Sequence, residues 1–506
     1  MKIGKAFQAA RQAFSATLFD SANDLGNRTS TITFPLDSRK EIRPEERRRL
    51  IKKSRSLRNN LGLVRRLING TTRYSLGRGL IPSAATSDKD FNVAADAYFD
   101  RWAMSTLCDV SGRMNFYQMQ RVICREMFTD GEVFAGQVKD SDDRCQLQLL
   151  KTERVGPAPG GNALDPYEDG IECDAQNTPL SYGVLSYDAR GAVRRVNTSA
   201  EDVIHIYDPE RIGQRRGLPW LYHGQNSLLD ILDITAFEKA AVKLHSYFAA
   251  AITTPTGKAP NGVRQRAAAA TSSGDAAADA ESRQYESFLG GAAIPVLKKG
   301  EEIKFFTSDR PSLTFAGFID FLVRDIAWGF GVSPEFIWSV AGLGGANTRF
   351  ILQDSEWFFD EVRQLLIDIF CQRVYSWVIA NGILNSELPM SKDPLWHACN
   401  WQGPPSLTVD RGRDGRLFIE LVKNGMMSRQ DWWSALGKDG LKMRRAVIDE
   451  LAEDISYCQE KSVPIGYYLQ SMPGQSGVAE APGGAISAEQ SAALGAALIE
   501  HFKLEI

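Results

Sequence analysis

Three arginines, Arg211, Arg215 and Arg216, stand close enough in sequence to hold a phosphate, because guanidinium groups offer planar forks of donors to an oxyanion. The alternative is an exposed turn that carries them for solubility. A second place to look for phosphate chemistry is the Gly-rich run at residues 340–347, which leads into a long helix. A Walker loop needs Gly, four residues, Gly-Lys and then Ser or Thr, and that string occurs nowhere in the chain. Nucleophilic catalysis would need Ser or Cys with His and a carboxylate. The five histidines, His205, His223, His245, His397 and His501, stand outside Gly-x-Ser-x-Gly and Cys-Gly-x-Cys contexts and are read as structural. No His-Glu-x-x-His, His-x-Glu with Pro-Cys-x-x-Cys, or EF-hand spacing appears, so no metal, cofactor or catalytic residue is expected. Asp, Glu and Lys from distant positions could still assemble a nuclease site, which residue order does not exclude.

The elements around the three arginines read as strand, turn and helix start. Val203, Ile204, Ile206 and Tyr207 suit a half-buried strand, Gly217 a turn, and Pro219 the first turn of a helix. Upstream, residues 91–101 and 115–128 carry helical patterns. Residues 132–138, 146–150, 182–187, 192–197 and 203–207 read as strands, with a hairpin turn at 188–191. A helix of over thirty residues is expected from Leu218 to about Ala251, its stripe formed by Leu228, Ile231, Ile234, Phe237, Ala241, Leu244 and Phe248. Residues 253–311 hold a flexible Ala/Ser/Gly/Asp tract at 267–280 and a strand-like pair at 293–297 and 302–306. A second helix spans 313–330. After the Gly-rich run, a long helix ends at Asn381-Gly382, with Phe359, Val362, Leu366, Phe370, Val374 and Trp377 as its stripe and Asp354 and Glu356 near its positive start. Residues 396–468 form a last helical region. A Gly/Ala/Pro-rich stretch at 472–485, of mobile composition, and a capping box at Ser487 and Gln490 for a short terminal helix follow. The pattern is α+β, mainly helical.

At 506 residues the chain exceeds what one core supports, so two or more packed units are expected. A formal net charge of −3 argues against a surface built throughout to hold nucleic acid; any DNA contact must be local or weak. Fourteen Lys or Arg against three acids between Arg39 and Arg78, with Leu57, Leu61, Val64, Leu67 and Ile68 at helical spacing, read as one basic amphipathic helix that Gly77, Gly79 and Pro82 end. Such a helix grips DNA or RNA, or forms a solvated face or subunit contact. Seven cysteines without a Cys-x-x-Cys pair fit free thiols in a reducing compartment. Neither a secretory signal in residues 1–19 nor a membrane span is expected, since the most apolar stretches are broken by charges.

The order of residues in His205-Ile206-Tyr207-Asp208-Pro209-Glu210-Arg211-Ile212-Gly213-Gln214-Arg215-Arg216-Gly217-Leu218-Pro219 resembles the signature of the lambda-type phage portal family. Further blocks follow that family's order. They are Arg55-Ser56-Leu57-Arg58-Asn59-Asn60 with Gly77 to Pro82, Asp130-Gly131-Glu132-Val133-Phe134, Gly170-Ile171-Glu172-Cys173-Asp174 with Pro179 and Tyr182, and Trp401 to Pro405 with Asp410, Gly425 to Arg429 and Gly437 to Gly440. The resemblance runs from about Arg47 to Val463, with a departure at Arg411-Gly412-Arg413. It implies a portal fold with wing, helical stem, clip and crown, assembled as a ring of about twelve copies at one capsid vertex. By resemblance, residues 1–46 would be an N-terminal arm, 47–217 the wing, 218–252 the first stem helix and 253–311 the clip. Residues 312–331 would be the second stem helix, 332–350 a tunnel loop, 351–463 wing and crown helices, and 464–506 a flexible tail. The implied partners are copies of the chain, double-stranded DNA without sequence preference, terminase large subunit, head-tail connector, and major capsid and scaffold proteins. The implied location is the virion's portal vertex after assembly in the host cytoplasm.

A conduit should let the duplex slide, so its lining should not be strongly cationic. Asp320, Arg324 and Asp325 alternate sign on the second stem helix, and Leu343, Asn347 and Arg349 lie in or beside the Gly-rich loop; these are the candidate DNA-channel residues, the alternative being that they fill contacts between subunits. The family-signature residues Arg55, Asn59, Asn60, Gly131, Glu132, Glu172, Asp174, His205, Arg211, Gln214, Arg216, Gly217 and Pro219 are expected to be structural. The competing functions are a packaging ATPase or nuclease, a sequence-specific DNA-binding regulator, and a plain shell-forming capsid protein or other DNA-binding phage structural protein.

Overall fold

The computed structural model describes residues 42–157, 166–187, 193–247, 252–253, 285–288, 292–297, 313–337, 345–407 and 411–463. Two compact units result, one drawn from residues 1–69, 107–114 and 122–338, the other from 70–106, 115–121 and 339–506. The class is α+β and mainly helical.

Helix α1 (Pro44–Asn60) starts with Pro in its first turn, followed by Glu45 and Glu46, and carries Arg58 in its last turn, all in accord with the helix dipole. Leu61 is extended, with φ −115° and ψ 114°, and a second helix α2 (Gly62–Leu76) begins after it. The single basic helix expected here is therefore two, because Leu61 interrupts the ladder while its carbonyl accepts the first bond of α2 from Arg65.

In the first unit the end of helix α4 (Phe116–Asp130) feeds strand β2 (Glu132–Lys139), the centre of an antiparallel sheet ordered β3 (Cys145–Leu150), β2, β7 (Val203–Tyr207). A second antiparallel sheet is ordered β4 (Ile171–Cys173), β5 (Pro179–Tyr187), β6 (Val193–Ser199). Phe134, Leu150, Val155, Ile171, Tyr182 and Val203 form one buried cluster that joins the two sheets. The hairpin turn expected at 188–191 lies outside the described residues, as do 302–306, the tract at 267–280 and everything from 464 onward.

Helix α5 (Gln225–Tyr247) follows a 3₁₀ turn at Tyr222–Gly224, later than the Leu218 start its apolar spacing suggests. Tertiary packing is the reason. Trp220 lies edge-on to Phe128 with centroids 4.8 Å apart, and the Leu218 backbone lies against Gly131, so residues 218–220 stay irregular and Pro219 is not in a first helical turn. Of the expected stripe, Leu228 and Ile231 are buried, whereas Phe237 is 73% exposed. Strands β8 (Ile252–Thr253), β9 (Tyr285–Phe288) and β10 (Ala292–Leu297) form a three-stranded sheet with β10 central. Helix α6 (Leu313–Phe330) and the short α7 (Pro334–Ile337) complete this unit.

The second unit centres on aromatic packing. Helix α3 (Lys89–Met104) is capped by Asp88 and buries Phe91, Ala95, Phe99 and Ala103 at four-residue spacing. Phe99 meets Phe116 edge-on at 5.6 Å and Tyr375 at 5.1 Å, and Phe116 stacks on Phe370 at 5.6 Å. Helix α8 (Gly345–Leu366) passes through a π turn (Ile367–Cys371) into α9 (Gln372–Leu384). The expected stripe is buried as far as Val374, but Val378 and not Trp377 carries it on, because the wider turn rotates the downstream face. Since α8 begins at Gly345, Asp354 and Glu356 stand beyond its first turn, out of reach of the dipole's end. Strand β1 (Ile81–Ala84) pairs antiparallel with β11 (Cys399–Gln402), where the sequence suggested a helix stop and helix respectively. Helices α10 (Arg411–Lys423), α11 (Arg429–Ala435) and α12 (Gly440–Glu460) follow.

Gly131, at φ +91°, has no room for a Cβ, which would overlap the Leu218 backbone; Gly112, at φ +67°, has nothing within 4 Å. Gly131→Ala is expected to lower unfolding stability by roughly 3 kcal/mol or more through strain and overlap, Gly112→Ala by only about 1 through strain alone, as read by urea titration.

Candidate functional site

The signature segment meets the rest of its unit at a buried carboxylate. Glu132, the first residue of β2, has a side chain with no exposure. It accepts from Arg47 of α1 at 3.0 Å, from Arg216 Nη2 at 2.5 Å and Nε at 2.9 Å, and from the Gly217 amide at 2.9 Å. The Thr152 hydroxyl and His205 Nε2, the latter at 3.1 Å, complete the set. Asp169 supplies the second anion, 2.8 Å from Arg47 Nη2 and 3.6 Å from Arg216 Nη1. Two cations thus face two anions, and hydrogen bonds satisfy Glu132 in its remaining directions, whereas the buried Oδ1 of Asp169 has no hydrogen-bond partner and only Arg48 near it, at 3.9 Å.

Strand alternation explains the face. Phe134 stands opposite His205 and Glu132 opposite Tyr207 across β2 and β7, so all four side chains share one side of the sheet. The His205 ring is stacked between Phe134 at 4.3 Å and Tyr207 at 4.2 Å. Burial pushes the His205 imidazole down, outweighing the Glu132 carboxylate that pulls it up, so the ring is neutral and donates from Nε2. Burial pushes the Glu132 carboxyl up, but Arg216 and Arg47 together override it and hold it well below the usual carboxylate range.

The other signature residues shape the backbone nearby. Gln214 Oε1 accepts from the amides of Glu210 at 3.1 Å and Arg211 at 3.3 Å, its amide nitrogen donates to the Arg216 carbonyl at 2.8 Å, and its own carbonyl accepts from Tyr207 at 2.9 Å. Arg55 bridges Asp130 at 2.5 Å and Glu153 at 2.6 Å. Glu172 accepts from Ser181 at 2.8 Å, Asp174 caps the turn to Thr178 at 2.7 Å, and Asn60 donates to the Ser56 carbonyl at 2.9 Å. Asn59 and Arg211 are exposed.

Neither reading of the three arginines fits all of them. Arg216 is 4% exposed and committed to Glu132, and Arg215 is bound by Asn177 and Glu168. The signal in the sequence was Glu132 itself, a lone acid leading the apolar run Val133-Phe134-Ala135-Gly136. The remaining cations of α1 divide likewise. Arg47 and Arg58 turn inward to acids, Arg58 at 2.8 Å from Glu126, whereas Arg48, Arg49, Lys52 and Lys53 are exposed.

Of the channel candidates, Asp320 and Arg324 pair at 2.7 Å on α6, and Arg324 also reaches Glu335 at 2.8 Å. Asp325 is exposed on a different side of the helix. Asn347 is exposed and Arg349 half-buried in the first turns of α8; Leu343 lies outside the described residues. In the second unit a cleft of about 880 Å³ is lined by Lys89 and Arg363 together with Glu356, Asp360, Glu361 and Asp439, and its lining holds neither His nor Cys. All seven cysteines are free thiols. Among the described residues no His, Cys, Asp and Glu group has the arrangement of a metal site, and no helix is long and apolar enough to cross a membrane.

Residues 26–339, well over half of the chain, match the family described as phage portal protein, lambda family. The chain is 22% identical over 428 residues to a probable portal protein of Halomonas phage phiHAP-1, covering 80% of this chain and 78% of that one. To portal protein B of Escherichia phage lambda it is 21% identical over 383 residues, 69% of this chain and 71% of the relative. A chain from the neck of an empty gene transfer agent particle is similar in structure with a TM-score of 0.45 at 15% identity, over 78% of this chain and 94% of that one.

Removing the shared anion strands two buried guanidinium groups, so Glu132→Gln is expected to cost about 3–5 kcal/mol in urea unfolding. Acid should act in two stages. His205 and Glu132 both have lowered values in the fold, so their contributions are complete at neutral pH. The first declines below about 6.5 and the second below about 4.3, as the unfolded chain takes up protons more readily. In His205→Asn the first decline should vanish while the second persists, which urea titrations at stepped pH will reveal.

Proposed function

This chain belongs to the lambda family of phage portal proteins, and from that membership we propose that it assembles head-to-tail into a closed ring of about twelve copies, the channel for double-stranded DNA at one capsid vertex. Duplex enters through it during packaging and leaves through it during ejection. Terminase large subunit docks on the ring first and a head-tail connector later, with major capsid and scaffold proteins around it. Assembly takes place in the host cytoplasm and the ring stays in the virion. The residues 47–217 form the wing, 218–252 and 312–331 the stem, 253–311 the clip and 332–350 the tunnel loop.

What carries the reading is the use to which the signature residues are put. Glu132, His205, Arg216 and Gly217 are spent on each other in a buried cluster, an architectural role and not a reactive one. Within the stem, Asp320 and Arg324 border the channel, with Asn347, Arg349 and Leu343 touching DNA at the tunnel loop. Because Arg324 is matched by Asp320 and Glu335, that edge presents no net positive charge to phosphate, as a sliding contact requires.

Mass photometry and negative-stain imaging of the purified chain should reveal rings of about a dozen copies with a central hole. A monomer that hydrolyses ATP, cuts DNA or binds one sequence tightly would overturn the reading in favour of a packaging enzyme or regulator. Replacing Asp320 by Lys should strengthen duplex binding by the ring and steepen its salt dependence, whereas Arg324→Ala should change either little.

A further inference from the structure

The side of α6 turned away from its own core is aromatic. Ile319, Val323, Ile326, Ala327 and Phe330 are buried, while Phe318, Phe321 and Trp328 are 51, 64 and 65% exposed. Their spacing of three and seven residues places them in one row, with the exposed Asp325 inside it. Helix α5 packs against α6 in the same unit and has a different surface to offer: exposed Ala236 and Ala240 beside Phe237, flanked by exposed Lys239 and Lys243.

We infer that the aromatic row of α6 in one copy seats against this α5 edge of the neighbouring copy, Asp325 meeting Lys239 and Lys243. The inference rests on the ring reading and assigns the contact that closes it. Single exposed apolar residues are ordinary, but three large rings in a row are a patch that a partner covers. Covering what the three aromatics still expose removes roughly 400 Å² from water, about half of the ~800 Å² each partner gives to a standard interface. Small residues on α5 leave grooves for large rings, and Lys239 and Lys243 along one margin are opposite in sign to Asp325, the exposed Asp233 lying on the Phe237 side of the small residues. Because the two surfaces differ, the contact is heterologous and repeats around a ring without pairing off. The row does not suit the DNA side, where rings would face a hydrated polyanion. Asp325 therefore belongs to the contact between copies, and the channel edge of α6 is that of Asp320 and Arg324.

The test uses the full chain and its ring yield by mass photometry. In Phe321→Asp with Trp328→Asp, the concentration for half-assembly should rise roughly tenfold or more, with the monomer's circular dichroism and melting unchanged. Asp325→Lys alone and Lys239→Asp with Lys243→Asp alone should each weaken assembly, and the three together should restore it. Restored assembly identifies the two helices as partners. Rings that form as in the unsubstituted chain with both Asp replacements present, or charge variants that the swap does not rescue, would overturn this contact while leaving the ring reading intact. An unsubstituted chain that never forms rings would instead overturn the ring reading and this contact with it.

Discussion

A buried carboxylate needs its counter-charges brought to it, and in this chain they come from far away in sequence. Glu132 stands at the start of β2, and its partners come from α1, the turn after β3, strand β7 and the signature loop. Leaving any of them out would strand a charge in a medium where stranding costs several kcal/mol. The cluster therefore acts less as an attraction than as a condition: the two sheets, the first helix and residues 203–217 must all be in place together. Gly131 and Gly217 are the local expression of this demand, since the two stretches of backbone approach too closely at them for any side chain.

The cations of α1 show how one amphipathic helix serves two environments. Its buried face is not purely apolar; Arg47 and Arg55 reach carboxylates of other elements, and Ile51 and Leu57 fill the space between. Its outward cations stay in water. A count of charges along the sequence gives one basic run, whereas the fold sorts it by partner: Arg47, Arg55 and Arg58 are drawn to acids, while Arg43, Arg48, Arg49, Lys52, Lys53, Arg65, Arg66, Arg73 and Arg78 remain exposed.

What could be read from the sequence was whatever repeats locally. The β2, β3, β5 and β7 strands, the aromatic stripe of α8 and the Asp320–Arg324 pair all follow from period and spacing. The β1–β11 pair joins residues some 320 positions apart and has no local signal; Gly77, Gly79 and Pro82 looked like a stop because nothing nearby names the partner. The late start of α5 was hidden for a related reason, as packing of Trp220 on Phe128 overrides a Pro that would suit a helix start. Arg216 was legible as a signature residue but not as a buried one, since burial depended on an acid eighty-four positions away.

The π turn at Ile367–Cys371 changes how the helix around it can vary. It accommodates one residue more than an α-helical path, and each residue turns a helix by about 100°. A lineage that lost a single residue here would return the turn to a plain α-helical path and leave Val378 and Ile379 facing the core. The turn thus makes this stretch tolerant of a one-residue length change that the regular helix on either side could not absorb, and an alignment of distant relatives should place a one-residue gap within it.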